Sequence, residues 1–182
     1  MATFPFLRNR NWFNQSLNRS FPPSQAGAIR NAFTLEAGVK ATATGKTSDA
    51  TLAIDTDLVI PDIIAGVPYL IKMVCPCTAT ANGGLALNQA GGTVVAATYT
   101  GFTTFVTAAG AATTIIDVSA LNTAQSPTKA AFVRVMHQAI LIASSGGSFG
   151  IQWAQATSHS DTTTLAIGSY VTAEPLTALY AR

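Results

Sequence analysis

Charge is what this sequence has least of. Asp, Glu, Lys and Arg make up 10% of the 182 residues, against roughly 25% in an average soluble domain. Between Lys72 and Asp117 no formal charge occurs at all. Thr, Ala, Gly and Ser carry the polarity instead, a mixture that suits a β-rich protein with part of its surface covered by other subunits. Disorder fits poorly, because aliphatic residues are plentiful and net charge is only +2. Long apolar runs are missing too. The uncharged interval is interrupted by Pro76, Asn82, Gly83, Gly84, Asn88, Gln89, Gly91 and Gly92, so no stretch of about 20 apolar residues is available to span a bilayer. Arg8, Arg10 and Arg19 stand where a secretory signal would have its apolar core. The expectation is a soluble protein made in the cytoplasm, with no membrane partner.

Metal ligands and catalytic side chains are scarce. The two cysteines, Cys75 and Cys77, flank Pro76, a spacing too strained for a disulfide. Zinc needs more ligands, and His137 and His159 are isolated in sequence. The reading is a strand end with one cysteine packed inside, with no metal and no cofactor. His137 is expected to be a hydrogen-bonded core or interface residue. Gly45-Lys46-Thr47 imitates the end of a phosphate loop, but Gly38 leaves six intervening residues where the motif requires four. Asp55 and Asp57 form the one close carboxylate pair. Acid–base or metal chemistry would need a third group beside them, so a strand-edge or turn role is expected. Glycoside hydrolysis needs two carboxylates across a sugar site, and acids are too few here. The expectation is that the protein is not an enzyme. The sequons at Asn14 and Asn18 read as coincidences of an Asn- and Ser-rich tail.

What is present is asymmetric. Residues 1–46 carry Arg8, Arg10, Arg19, Arg30, Lys40 and Lys46 against Glu36, a formal +5, while the remainder carries −3. A basic arm on a slightly acidic body marks a tail that reaches for a partner. The arm is also aromatic, with Phe4, Phe6, Trp12, Phe13, Phe21 and Phe33, and is broken by Pro5, Pro22 and Pro23. Large aromatics are costly to expose and favoured as interface anchors. Arginines interleaved with aromatics also suit single-stranded nucleic acid. Four arginines diluted over thirty residues make a weak basic patch, so protein docking is preferred and no nucleic acid partner is expected. Folding of the arm back onto its own domain or a sister subunit stays open.

The body, residues 47–182, reads as short strands. Leu52 and Ile54 alternate until Asp55-Thr56-Asp57 breaks the run, and Leu58 to Ile60 resume it until Pro61. Tyr69, Ile71, Met73 and Cys75 share one face, with Leu70, Lys72 and Val74 opposite. Further strands are expected at 85–88, at 93–105 with a bulge at Gly101, and at 113–118. Residues 130–143 fit helix and strand templates alike; β-branched enrichment and the Ser144-Ser145-Gly146-Gly147 turn favour a hairpin with the strand at Phe149. Residues 149–176 read as a closing pair joined by a Ser/Thr-rich loop. Phe149, Ile151 and Trp153 share a face of the first strand, and the second runs from Leu165 through Tyr170. Roughly eight strands at short spacing give an all-β two-sheet sandwich.

Three stretches carry a family resemblance: Asp57-Leu58 followed by Ala65-Gly66-Val67-Pro68-Tyr69; Phe149-Gly150-Ile151-Gln152-Trp153-Ala154-Gln155; and Gly168-Ser169-Tyr170-Val171. Over residues 48–176 the chain resembles tailed-phage virion proteins with a jelly-roll of the tumour-necrosis-factor-like type. The resemblance implies a homotrimer on the virion, as a capsid decoration (cement) protein, head fibre or tail-fibre tip. The expectation drawn from it is a structural, homotrimeric decoration protein on the capsid exterior. Phe4, Phe6, Arg8, Arg10, Trp12, Phe13, Arg19 and Phe21 would dock on the major capsid protein. Tyr69, Ile71, Phe149, Ile151, Trp153 and Tyr170 would fill the core or the trimer seam. The alternative is a fibre tip acting as a host receptor-binding adhesin, with loops around Asn82 or His159 contacting a host glycan.

Overall fold

Period-two alternation of Val, Ile, Thr and aromatic residues governs this chain, and the computed structural model describes residues 36–90, 92–108, 112–127 and 130–176 as strands and turns, with no α-helix among them. The strands are β1 (Glu36–Val39), β2 (Thr44–Thr47), β3 (Ala53–Ile63), β4 (Pro68–Thr78), β5 (Ala86–Ala90), β6 (Val95–Thr107), β7 (Ala112–Val118), β8 (Phe132–Ser145), β9 (Gly147–Ala154), β10 (Thr162–Leu165) and β11 (Tyr170–Pro175). One sheet has eight strands in the order β1-β11-β4-β8-β6-β7, with β10 bridging β2 and β4. The other has three, in the order β3-β9-β5. Every pairing is antiparallel.

The pairings are nested. β1 lies with β11, β2 with β10, β3 with β9 and β4 with β8, while β6 and β7 form the tip. The chain is thus one long antiparallel hairpin rolled so that its successive rungs fall in two facing sheets, which is a jelly-roll sandwich. The inward phase of each strand supplies the core. Tyr69, Ile71, Met73 and Cys75 from β4 and Val135, Ala139 and Leu141 from β8 meet Leu58 and Ile60 from β3 and Phe149, Ile151 and Trp153 from β9, all at 2% exposure or less. Each large apolar side chain buried this way stabilises the fold by about 1.5–3 kcal/mol.

Several sequence expectations need correction. There are eleven strands among the described residues where about eight were expected. The shift in composition near residue 46 does not mark the edge of the sandwich, because β1 and β2 are rungs of the eight-stranded sheet. β8 and β9 are consecutive but do not pair. Both edges of β8 are taken, by β4 and β6, so the chain crosses at the 146–147 corner and β9 inserts between β3 and β5. The segment from Leu165 to Tyr170 is not one strand. Gly168 adopts φ +81°, and the Ser169 hydroxyl donates to the Ala166 carbonyl at 2.8 Å, making a turn that separates β10 from β11. β3 runs through Asp55-Thr56-Asp57 and past Pro61, absorbing both through register shifts. β6 keeps regular register at Gly101 and shifts at 95–98 and 106–107. Both cysteines, two apart on one face of β4, are buried and free, and burial pushes each thiol up to about 12.

Close packing of β1 over β3 depends on Gly38. A Cβ there would lie 2.7 Å from the Asp57 carbonyl oxygen and 2.8 Å from the Val59 nitrogen. Gly38→Val is expected to cost about 2–4 kcal/mol. Ala37→Val, at the exposed neighbouring position, should stay within about 0.5 kcal/mol. Chemical denaturation of both variants measures the difference.

Candidate interaction surface and the buried Lys40 centre

An antiparallel sheet with one face in water alternates apolar and polar residues. The eight-stranded sheet departs from that rule on its outer face. Register places Val39 (β1), Tyr170 (β11), Val74 (β4), Met136 (β8), Thr104 (β6) and Ile115 (β7) in a single row across six strands. Val39 is 57% exposed, Ile115 65% and Tyr170 36%. A parallel row holds Leu70 and Ile140, and between the two rows lie Lys72, Gln138 and the exposed Phe102. A shallow pocket of about 140 Å³ opens among Leu70, Phe102, Gln138 and Ile140. Charge on this face comes from Arg134 on β8, Asp117 on β7 and the exposed Lys72–Glu174 pair at 3.4 Å. Exposed pairs of this kind contribute little.

A second centre lies where β1 crosses β3. Gly38 brings β1 onto β3, and Lys40 then points into the protein at 1% side-chain exposure. Its Nζ sits 2.6 Å from Asp55 Oδ2 and 3.6 Å from Asp57 Oδ2. Trp153 donates its indole Nε1–H to Asp55 Oδ2 at 3.0 Å, and Thr44 Oγ1 approaches the same oxygen at 3.5 Å. The Asp57 amide donates to Asp55 Oδ1 at 3.2 Å. The outer side of the indole carries Lys46, whose Nζ is 5.6 Å from the ring centroid and also binds Asp49 at 3.0 Å. A cavity of about 270 Å³ lined by Lys40, Thr42, Thr44, Asp55, Asp57 and Trp153 connects this centre to the surface.

A third polar group crosses the interior. His137 Nε2 lies 2.7 Å from the Tyr99 hydroxyl and Nδ1 lies 2.8 Å from Thr103 Oγ1. Gln89 donates to Thr103 Oγ1 at 3.4 Å and exchanges amide hydrogen bonds with Gln125. Burial holds His137 down to about 4, offset in part by a hydrogen bond to the Phe102 backbone. The ring is therefore neutral at pH 7.

Of the residues singled out from sequence, Tyr69, Ile71, Phe149, Ile151 and Trp153 lie inside the sandwich. Tyr170 does not; it lies on the phase opposite Leu165, Ser169 and Val171, in the outer row. Phe4, Phe6, Arg8, Arg10, Trp12, Phe13, Arg19 and Phe21 lie outside the described residues. His137 is a hydrogen-bonded interior residue. Asp55 does lie on an edge strand, β3, but points inward, 6% exposed and ion-paired. Sequence reading missed Lys40, which was assigned to the arm. Fifteen residues separate it from Asp55, so no local spacing reveals the pair, and Asp55 turns inward only through the irregularity between Ile54 and Val59. Among the described residues, no group of three or more His, Cys, Asp or Glu could hold a metal ion, and no helix is long and apolar enough to cross a membrane.

No protein-family model and no curated protein matches the sequence. Among solved structures, the chain aligns with that of the infectious bursal disease virus Gx strain at 11% identity and TM-score 0.21, covering 81% of this chain and 41% of that one. It also aligns with the VP2 subviral particle of the same virus at 12% identity and TM-score 0.22, covering 77% of this chain and 38% of that one. The chain thus spans about two fifths of the length of these structures, and likeness at this level carries no argument about its role.

The His137 centre sets a pH dependence. Its folded value, about 4, lies below the ordinary 6.5, so the unfolded chain takes up the proton first. The contribution is complete above pH 6.5 and is lost as pH falls toward 4, amounting to about 3 kcal/mol. His137→Gln removes this limb. Denaturant midpoints of both proteins at pH 7, 5.5 and 4 measure it, and parallel profiles would contradict the assignment.

Proposed function

We propose that the chain is a structural virion protein, a homotrimeric decoration protein that docks on the outer capsid and stabilises the shell. The observation that carries this reading is the row on the outer face of the eight-stranded sheet, apolar on β1, β11, β4, β8 and β7 and interrupted by Thr104 on β6. Exposed apolar surface gathered on one face marks an interaction site. Three copies packing these faces around a common axis cover it with no further partner, and a closed cyclic assembly leaves no open face for further addition.

The arm supplies the attachment. β1, the first described strand, is an edge strand of the same sheet, and in this reading three arms extend from three equivalent edges of a trimer to different neighbouring subunits. Phe4, Phe6, Trp12, Phe13 and Phe21 fill pockets on the major capsid protein, while Arg8, Arg10 and Arg19 pair with its carboxylates. An attachment repeated three times multiplies weak contacts into firm binding. The role is mechanical: the protein holds adjacent capsid subunits together and performs no chemistry on them.

Deleting residues 1–33 should abolish binding to particles stripped of this protein while leaving the body folded. Trp12→Ala alone should weaken binding about 30-fold, the equivalent of about 2 kcal/mol for a buried aromatic anchor. Cosedimentation with stripped particles measures both, and undiminished binding by the truncated protein would contradict the reading.

A further inference from the structure

The Lys40 centre has the parts of a bond-forming site. We propose that Lys40 and Asp55 condense to an intramolecular isopeptide bond, with Asp57 relaying the proton, so that the strand at the root of the N-terminal arm is covalently tied to the sandwich. This goes beyond the virion reading and does not depend on it.

Four observations converge. Nζ of Lys40 is already in contact with the Asp55 carboxyl at 2.6 Å, and the two side chains are 1% and 4% exposed. The partners therefore meet without water between them, held by β1 and β3, and such fixed juxtaposition replaces an encounter that would be improbable in solution. A second carboxylate, Asp57, stands 3.6 Å from the same nitrogen and is 34% exposed, placed to take a proton from Nζ. Trp153 Nε1 at 3.0 Å, with Thr44 Oγ1 at 3.5 Å, directs donors at Asp55 Oδ2. Negative charge collects on that oxygen when nitrogen adds to the carboxyl carbon, and preset donors stabilise it. Finally, the cavity beside Lys40 and Asp55 provides a path by which water leaves.

The step balances without a co-reactant. Nζ gives up a proton to Asp57 and adds to Cγ of Asp55. The C–N bond forms, one C–O bond of the carboxyl breaks, and that oxygen departs as water carrying the two protons lost by nitrogen. Asp57 ends as it began. One buried cation and one buried anion are replaced by a neutral amide, which removes the desolvation cost of holding two charges inside a protein. The Trp153 and Thr44 donors remain on the amide oxygen.

Mass spectrometry of the intact, denatured full chain tests the proposal. The wild type should weigh one water less than its sequence, and tryptic digestion should leave Lys40 uncut, with its peptide joined to the one containing Asp55. K40M and D57N should show the full mass. A wild type at full mass with separate Lys40 and Asp55 peptides overturns the bond, as does water loss that maps to other residues. Water loss persisting in D57N overturns the relay role of Asp57. The wild-type measurement needs no variant to fold.

Discussion

Apolar side chains on both phases of the central strands are the constraint from which the rest follows. On β4 the inward phase is Tyr69, Ile71, Met73 and Cys75, and the outward phase still offers Leu70 and Val74. On β8 the same duplication pairs Val135, Ala139 and Leu141 inside with Met136 and Ile140 outside. The inward phase is answered within the molecule by the three-stranded sheet. The outward phase has no such cover among the described residues.

The nested pairing links that face to the arm. Because β1 closes on β11 at one edge and crosses β3 at Gly38, the residues that lead out of the body are fixed on two sides. Lys40 completes the crossing by reaching Asp55 beneath Trp153. β1 itself is a strand of only four residues, and the Lys40 centre adds a buried ion pair just beyond its end.

Much of the body was legible in the sequence, because strands whose two phases differ in side chain declare themselves. β9 is the clearest case: Phe149, Ile151 and Trp153 alternate with Gly150 and Gln152. What could not be read was which strands pair. Adjacent strands in a rolled hairpin are often in opposite sheets, so short turns such as 144–147 imitate hairpins that do not exist. The break at Gly168 is equally invisible: it ends one strand at Leu165 and begins the next at Tyr170. The Lys40–Asp55 contact joins two segments by tertiary crossing alone, and composition had placed Lys40 in the arm with the other basic residues. The outer apolar row is a property of register, which no single strand reveals.

Coverage of the outer face by copies of this chain is the central claim. Sedimentation equilibrium of the purified full-length protein measures that directly. A mass of three chains, held across a tenfold dilution, is the predicted result. A stable single chain at micromolar concentration, with Val39, Phe102 and Ile115 exposed to solvent, would contradict it.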